Sequence, residues 1–193
     1  MISKTGIWSK AEAKKSGYPK SEVLAKKLLQ VFNKESTVLD FGCGDAYYLD
    51  VLVENYFAVY GVDGYLPLES PFVKKNIRVL RDKVDLSKKF CLPFFGQILS
   101  LEVGEHIPSQ YESTFIDNLC RNCYNRIVLS WAIEGQGGLG HVNCRNNDYV
   151  IARLFERKFN LNPELTDFIR QGIEMPVRYF QDTLMVFDRD YSR

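Results

Sequence analysis

The sequence predicts an α/β fold, in which helices cover both faces of a mostly parallel β-sheet. Short apolar runs alternate with segments whose apolar residues recur at helical spacing, as in strand–helix–strand units. Apolar residues make up 46% of the 193 positions and charged residues 25%, which is the composition of a globular domain and not of a disordered chain. No repeat, low-complexity stretch or linker divides the chain, and its length suits one core.

The first 34 residues form a basic segment, called here the N-terminal arm. It contains eight lysines and two glutamates, a net charge of +6, whereas the other 159 residues carry 17 basic and 22 acidic side chains. A capping box at 9–12 predicts one short helix, and Lys20 or Ser21 opens a second. The arm is either a solvated, mobile face or a lid that attracts an anionic ligand. The predicted division is 1–34 for the arm and 35–193 for the α/β domain.

Six apolar runs are predicted to be strands because each is short and bounded by polar or glycine positions. In chain order they are 38–41, 58–63, 77–80, 97–101, 126–131 and 183–187. Three longer segments are predicted to be helices because their apolar residues recur at intervals of three and four. They are 47–56, a segment that starts at the proline and capping box of 108–112 and reaches position 123, and 148–158.

The most informative motif runs from Asp40 to Ala46 with the sequence DFGCGDA, at the predicted carboxyl end of the first strand. Open α/β sheets bind their ligands at this edge. Two glycines let the backbone turn sharply and approach a ligand, and the following helix directs its free N–H groups there. A nicotinamide dinucleotide site would have a glycine where this chain has Tyr47, and the P-loop signature is absent. The turn therefore suits a ligand without a pyrophosphate.

Acidic residues follow the next two predicted strands. Asp63 lies 23 positions after Asp40, where a carboxylate can accept hydrogen bonds from both hydroxyls of a ribose. Asp85 and Leu86 follow the third strand. There a carboxylate can accept a hydrogen bond from the exocyclic amine of adenine while the neighbouring backbone meets the ring edge. The alternative for Asp85 is a surface residue that caps a helix.

These residues, in this order, resemble the class I S-adenosylmethionine-dependent methyltransferases. The first-strand motif of that family, acid-x-Gly-x-Gly-x-Gly, is matched by Asp40, Gly42 and Gly44, with Ala46 in place of the last glycine. The resemblance extends from about residue 36 to residue 188. It implies a three-layer sandwich with a seven-stranded, mostly parallel sheet, the Rossmann-like fold of these enzymes, whose last strand is antiparallel.

The resemblance also implies S-adenosyl-L-methionine as the cofactor. The residues that it places around the cofactor are Asp40, Gly42, Cys43, Gly44, Asp63, Gly64, Asp85, Leu86 and Glu102. In this family a segment before the first strand often closes the site, so we expect Trp8 or Tyr18 of the arm to reach into it. The segment 101–107, LEVGEHI, is similar to the branch that mostly methylates small molecules. The expected activity is methyl transfer to an oxygen or nitrogen of a small-molecule acceptor.

The candidate catalytic residues are His106, His141 and Glu105. Both histidines of the chain follow strands on the predicted ligand side of the sheet, and an ordinary histidine pKa of about 6.5 suits proton removal near neutral pH. Glu105 and Glu102 are alternative bases, or anchors for an amino group. The glycine-rich segment 135–143 is either a gate over the substrate or a long flexible turn.

Two other classes of function remain open: a catalytically silent cofactor-binding subunit, and a methyltransferase for protein or nucleic acid. The motif after the fourth strand lacks the Pro-Pro and Pro-Cys sequences of nucleic-acid methyltransferases, which argues against a nucleic-acid target, although the basic arm keeps it open. The lone CxxC at 120–123 has no partner ligands, so no metal site is expected. Five cysteines, no secretory signal and no long apolar run predict a cytoplasmic protein outside the membrane. The oligomeric state is left undecided.

Overall fold

The structure is a computed structural model that describes residues 2–55, 57–76, 80–81 and 84–192. Within these residues the chain forms eight α-helices and seven strands. In chain order they are α1 (Lys10–Ser16), α2 (Glu22–Val31), β1 (Val38–Phe41), α3 (Tyr47–Glu54), β2 (Val59–Val62), α4 (Pro71–Lys75), β3 (Leu80–Arg81), β4 (Phe95–Ser100), α5 (Glu112–Asn122), β5 (Cys123–Ser130), α6 (Asn147–Phe155), β6 (Phe159–Leu161), α7 (Pro163–Arg170), α8 (Phe180–Thr183) and β7 (Leu184–Arg189).

The strands form one mixed sheet in the order β3-β2-β1-β4-β5-β7-β6. The pairs among β1 to β5 are parallel, whereas β7 runs antiparallel to both β5 and β6. The predicted α/β fold with a mostly parallel sheet is therefore confirmed, and the antiparallel pairs lie at one side. Because β1, β2 and β4 are neighbours and parallel, their carboxyl ends meet at the same edge of the sheet.

Helices cover both faces of the sheet. Successive strand residues point to opposite faces, so Val38 packs in one core cluster and its neighbour Leu39 in the other. The first cluster includes Leu28 of α2 together with residues of α3 and α7, and the second includes Phe115 of α5 and Leu154 of α6. This arrangement gives the three layers expected from the alternating sequence.

The second half of the N-terminal arm belongs to the core. Ser21 caps α2, and its hydroxyl oxygen accepts a hydrogen bond of 3.1 Å from the N–H of Leu24. The buried side of α2 consists of four apolar residues at helical spacing: Leu24, Ala25, Leu28 and Val31. Residues 22–31 are thus a fixed layer of the domain, and only the first part of the arm remains available as a lid.

Two predicted helices differ from the observed ones at their ends. A 3-10 turn occupies Ser109–Tyr111, and α5 starts later than predicted, at Glu112. The Glu112 carboxylate accepts hydrogen bonds from Asn143 and Arg145, so it is not available for a capping box. Helix α6 ends earlier than predicted, and Lys158 adopts a left-handed conformation (φ 66°) that separates it from β6.

Four short elements are additional to the prediction: α4, β6, α7 and α8. Each is eight residues or shorter, so its apolar periodicity is too brief to be distinguished from a loop. Of the predicted third strand at 77–80, positions 77–79 lie outside the described residues. Among the described residues, no helix combines the length and apolar character that crossing a bilayer requires.

Candidate functional site

A cavity of about 320 Å³ lies at the carboxyl ends of β1, β2 and β4. Its walls come from the N-terminal arm, the glycine turn after β1, the segments after β2 and β4, and the loop after β5. The lining residues that matter most are Ile7, Trp8, Tyr18, Gly42, Gly44, Asp63, Gly64, Leu86, Glu102, Val103, His106, Gln136, Gly138, His141 and Tyr179. This volume lies in the range of small-molecule sites.

The turn after β1 needs glycine at two positions. Gly42 (φ 94°) and Gly44 (φ 51°) both adopt the left-handed conformation that favours glycine. A Cβ on Gly42 would lie 2.4 Å from Cγ2 of Val103, and one on Gly44 would lie 2.5 Å from Cδ1 of Tyr18. The glycines therefore let the segment after β4 and the arm close onto the turn. Ala46 is also left-handed (φ 64°), where it serves as the N-cap of α3.

Asp63 links the glycine turn to the end of β2. Its Oδ2 accepts a hydrogen bond of 2.9 Å from the N–H of Gly44, and its Oδ1 accepts one of 2.8 Å from the N–H of Tyr65. A carboxylate has about four acceptor positions, so acceptor capacity remains for a ligand in the cavity. Burial raises the pKa of Asp63 to about 6.

Three of the predicted cofactor residues lie away from the cavity wall. Asp40, at the start of the glycine turn, and Cys43, inside it, are both buried. Burial, followed by the charges of Asp63 and Asp45, raises the pKa of Asp40 to about 8. The Asp85 carboxylate accepts hydrogen bonds from the backbone and hydroxyl of Ser87 and pairs with a lysine, while its neighbour Leu86 does line the cavity.

The first half of the arm forms one wall of the cavity. Trp8 makes an edge contact with His106, with 4.9 Å between the ring centroids. Tyr18 lies over Gly44, and Ile7 lies so close to Gly64 that a Cβ there would come within 2.7 Å of Ile7 Cγ1. The aromatic residues were expected from the sequence. Ile7 was not, because one apolar residue in a loop carries no periodic signal.

Two acidic residues follow β4: Glu102 lines the cavity, and Glu105 lies behind the cavity wall. Glu102 adopts a left-handed conformation (φ 54°), and its Oε1 accepts a hydrogen bond of 2.9 Å from the hydroxyl of Ser130. Burial raises the pKa of Glu102 to about 7. Glu105 is fully buried (0% exposed), and burial together with the charge of Glu102 raises its pKa well above the usual range. Within the described residues, neither carboxylate oxygen of Glu105 makes a hydrogen bond.

Both histidines lie beside this acidic pair. Nδ1 of His106 is 3.1 Å from the carbonyl oxygen of Gly140, and Nδ1 of His141 is 3.2 Å from that of Gln136. The two rings are 5.1 Å apart, and Nε2 of His141 lies 3.9 Å from Oε1 of Glu105. Burial lowers the pKa of His106 to about 4, so its ring is neutral at pH 7. The three candidate catalytic residues are thus brought together.

The glycine-rich loop after β5 is anchored to the segment after β4. The carbonyl oxygen of Glu105 accepts hydrogen bonds from the N–H groups of Val142 (2.9 Å) and Asn143 (3.0 Å). The indole N–H of the fully buried Trp131 donates to the carbonyl oxygen of Asn143 at 2.7 Å. These bonds fix the end of the loop that carries His141, and they place it against Glu105.

Comparison with known sequences identifies one family. Residues 17–123, more than half of the chain, match the family model described as a methyltransferase domain. The match contains the glycine turn, the segment after β2 and the segment after β4. No curated protein sequence matches the chain.

Solved structures share the fold. The magnesium protoporphyrin IX methyltransferase of Synechocystis PCC 6803, solved with bound SAM, has 19% identity and a TM-score of 0.65, over 87% of this chain and 76% of its own. A TehB-like SAM-dependent methyltransferase of Corynebacterium glutamicum has 18% identity and a TM-score of 0.63, over 93% and 94%. The N-methyltransferase NodS of Bradyrhizobium japonicum, in complex with S-adenosyl-L-homocysteine, has 15% identity and a TM-score of 0.61, over 86% and 83%.

Proposed function

Since the chain belongs to this family of methyltransferase domains, we propose that it transfers a methyl group from S-adenosyl-L-methionine to an oxygen or nitrogen of a small molecule. The observation that carries the proposal is the cavity itself. It joins the glycine turn and Asp63 to a far end that is lined by histidine and tyrosine. One cavity therefore offers both a cofactor end and an acceptor end.

The residues at the cofactor end fit S-adenosyl-L-methionine. Asp63 keeps acceptor capacity beside the turn, which suits the hydroxyls of a ribose. Leu86 provides apolar surface for an adenine, and Glu102 provides a carboxylate for an amino group. The ring of Tyr18 covers Gly44. Asp40 and Cys43 act indirectly in this proposal, because they are buried parts of the turn and do not line the cavity.

A small acceptor is favoured by how the far end is enclosed. Trp8 of the arm and the anchored loop around His141 stand on two sides of it, and Tyr179 contributes a third. A protein or nucleic-acid segment would need an open groove, whereas these walls leave room for one compact molecule. The Synechocystis enzyme named above is a magnesium protoporphyrin IX methyltransferase, and the Bradyrhizobium enzyme is an N-methyltransferase. The name of the Synechocystis enzyme agrees with a small-molecule acceptor.

The cofactor supplies an electrophilic methyl group, so the protein mainly has to align the acceptor. Alignment of this kind can lower a barrier by about 7–11 kcal/mol in good cases. Glu105, His106 and His141 are the residues that we propose to act on the acceptor. The His106 imidazole is neutral, so it can accept a hydrogen bond from an acceptor O–H or N–H.

The proposed function is tested by binding and turnover on the same sample. Calorimetric titration with S-adenosyl-L-homocysteine should show one site per chain. A panel of small hydroxyl- and amine-bearing acceptors should release this product in the presence of S-adenosyl-L-methionine. Binding without any turnover, on small molecules, protein or RNA, would instead support a silent cofactor-binding subunit.

Replacing Asp63 by Asn should weaken the binding of S-adenosyl-L-homocysteine by about 5- to 150-fold, equivalent to about 1–3 kcal/mol for lost charge-assisted hydrogen bonds. An amide oxygen can accept from a ribose hydroxyl, but the amide NH₂ opposes the N–H of Gly44 or Tyr65. Calorimetry measures the change, with the exposed Asp167→Asn as the control. Equal affinities for Asp63→Asn and the parent protein would remove the ribose role.

Binding of S-adenosyl-L-homocysteine should weaken as the pH falls through about 6. The Asp63 pKa is raised to about 6 in the free protein, and only the ionised carboxylate offers all four acceptor positions. Above pH 6 the affinity is therefore fully present, and below it the affinity falls by up to tenfold per pH unit. Asp40 titrates nearby at about 8, so Asp63→Asn serves as the reference. If the affinity of this variant still falls between pH 6 and pH 5, the pH dependence comes from another group and not from Asp63.

A further inference from the structure

Glu105 is a fully buried carboxyl group whose charged neighbour is a second carboxyl group, that of Glu102. It is fully buried in the 3-10 turn Gly104–His106, and among the described residues neither of its side-chain oxygens makes a hydrogen bond. Buried carboxylates are otherwise paired, hydrogen-bonded or bound to a metal ion. The proposed cofactor contacts do not use it. Its environment therefore calls for a positive charge or for a proton.

Two histidines beside this carboxylate leave the same ring nitrogen without a backbone hydrogen bond. Because a carbonyl oxygen can only accept, His106 and His141 each carry their ring hydrogen on Nδ1, donated to Gly140 and Gln136. The lone pair of each ring is then on Nε2. A histidine whose other nitrogen is held by a backbone carbonyl is the arrangement found around bound metal ions. The two rings are therefore oriented as ligands before any ion arrives.

The three side chains are close enough to share one ion. Their candidate ligand atoms all lie within 4.8 Å of one another, and His141 Nε2 is 3.9 Å from Glu105 Oε1. Tetrahedral ligands on Zn²⁺, with bonds of about 2.0–2.1 Å, lie roughly 3.3 Å apart. Closing this difference takes side-chain shifts of about 1 Å or less. Glycine at position 138 lets the His141 ring pack against the loop backbone, since a Cβ there would stand 2.2 Å from His141 Nε2.

We propose that Glu105, His106 and His141 bind one divalent transition-metal ion, for which Zn²⁺ fits best. Two imidazoles and one carboxylate form a ligand set of catalytic zinc sites, which keep a further position open. The proposal departs from the expectation of no metal site, which was based on the lone CxxC and on the lack of a second CxxC or a histidine pair to complete it. Histidines 35 positions apart give no local ligand motif, and the loop anchored on the Glu105 carbonyl brings them together.

Neighbouring groups define the limits of the site. The Cys144 sulfur lies 3.7 Å from Nδ1 of His141, on the side of the ring away from the lone pair, so it is not a ligand. Glu102 is engaged by the hydroxyl of Ser130 and adds negative charge beside the ion. His106 and His141 line the cavity while Glu105 lies behind them. The open position of the ion therefore faces the acceptor end.

The use of the ion rests on the proposed methyl transfer, although its binding does not. An oxygen of the acceptor would take the open position, which fixes its direction toward the cofactor end. A bound divalent ion also lowers the pKa of a coordinated hydroxyl. The site thus selects acceptors with a hydroxyl or carboxylate oxygen over those with an amine alone.

Direct metal binding tests the proposal on the full chain. The protein is stripped with a chelator, which is then removed, and is titrated with Co²⁺ while the visible absorption spectrum is recorded. We expect one equivalent of Co²⁺ to produce an intense band typical of low coordination number, and one equivalent of Zn²⁺ to displace it. The nearly isosteric Glu105→Gln and the variant His141→Asn should each bind about 100-fold more weakly or worse, because loss of even an outer partner costs 10–100-fold.

Controls separate this proposal from the proposed function. Cys144→Ser should keep the spectrum, and so should the exposed Glu35→Gln. Circular dichroism checks that each variant is folded, and titration with S-adenosyl-L-homocysteine is run on each sample. A parent protein that binds this ligand but binds neither Co²⁺ nor Zn²⁺ at one equivalent overturns the metal site alone and leaves Glu105 as a neutral acid. Unchanged metal affinity in folded Glu105→Gln and His141→Asn overturns it as well. Loss of S-adenosyl-L-homocysteine binding in the parent contradicts the proposed function, whatever the metal result.

Discussion

Replacing His141 by Asn should lower kcat by about 100-fold or more while the affinity for S-adenosyl-L-homocysteine stays unchanged. The ring of His141 faces the acceptor end of the cavity, away from the glycine turn that we assign to the cofactor. Asparagine retains a polar side chain but lacks the imidazole lone pair. The loss falls on kcat whether that lone pair contacts the acceptor directly or through a bound ion. Single-turnover kinetics with saturating cofactor measures the effect.

His106→Asn should lower kcat by a similar factor. It should also weaken the packing of the N-terminal arm, because the edge contact with Trp8 is removed. The matched control is Val142→Ala, since Val142 follows His141 but its side chain is 62% exposed. That variant should turn over at the parent rate. If both histidine variants and the double variant also do so with a confirmed acceptor, neither imidazole acts in the reaction, and Glu102 would be the next residue to replace.

The sequence predicted the parts of the fold that have a strong local signal. The run Val38–Phe41 is short, apolar and closed by glycine, and it became a strand with every residue buried. A start at Lys20 or Ser21 and apolar residues at helical spacing, among them Leu24, Leu28 and Val31, predicted α2 because the start signal and the periodicity agree. Helices α4 and α7 have only five and eight residues, so tertiary packing decides them more than local pattern does.

The site was predictable at the turn and less so at its far end. Gly42 and Gly44 lie in one motif after β1, Asp63 follows β2, and the parallel pairing of these strands brings them together. The cluster of Glu105 and His141 depends on two backbone hydrogen bonds from a loop 37 residues downstream. Hydrophobic periodicity in the sequence does not indicate such a contact. For Asp85 the adenine role stays a prediction, and its Oδ1 accepts hydrogen bonds from Ser87 in its own turn.

The double replacement Trp8→Ala/Tyr18→Ala should weaken the binding of S-adenosyl-L-homocysteine by about 100-fold, because two large aromatic side chains contribute roughly 1.5–3 kcal/mol each when fully buried and less when half-buried. Tyr18 lies over Gly44, and Trp8 lies against His106. Both stand in the cavity wall that the arm provides. Without them the cavity opens to solvent. Less of the ligand surface is then buried on binding, so the ligand dissociates faster. Stopped-flow dissociation rates and calorimetry measure the two consequences.

Two further variants decide what the arm contributes. Tyr18→Phe keeps the ring over Gly44 and should bind like the parent, whereas Lys14→Ala/Lys15→Ala removes two exposed charges from α1 and should change the affinity little. A loss in the lysine variant as large as in the aromatic one would make the arm an electrostatic attractor and not a wall. Parent-like affinity in a folded aromatic double variant would mean that the first 19 residues cover the site without contributing to binding. We expect the aromatic double variant to lose much more affinity than the lysine double variant, because the two rings line the cavity while the two lysines are exposed to solvent.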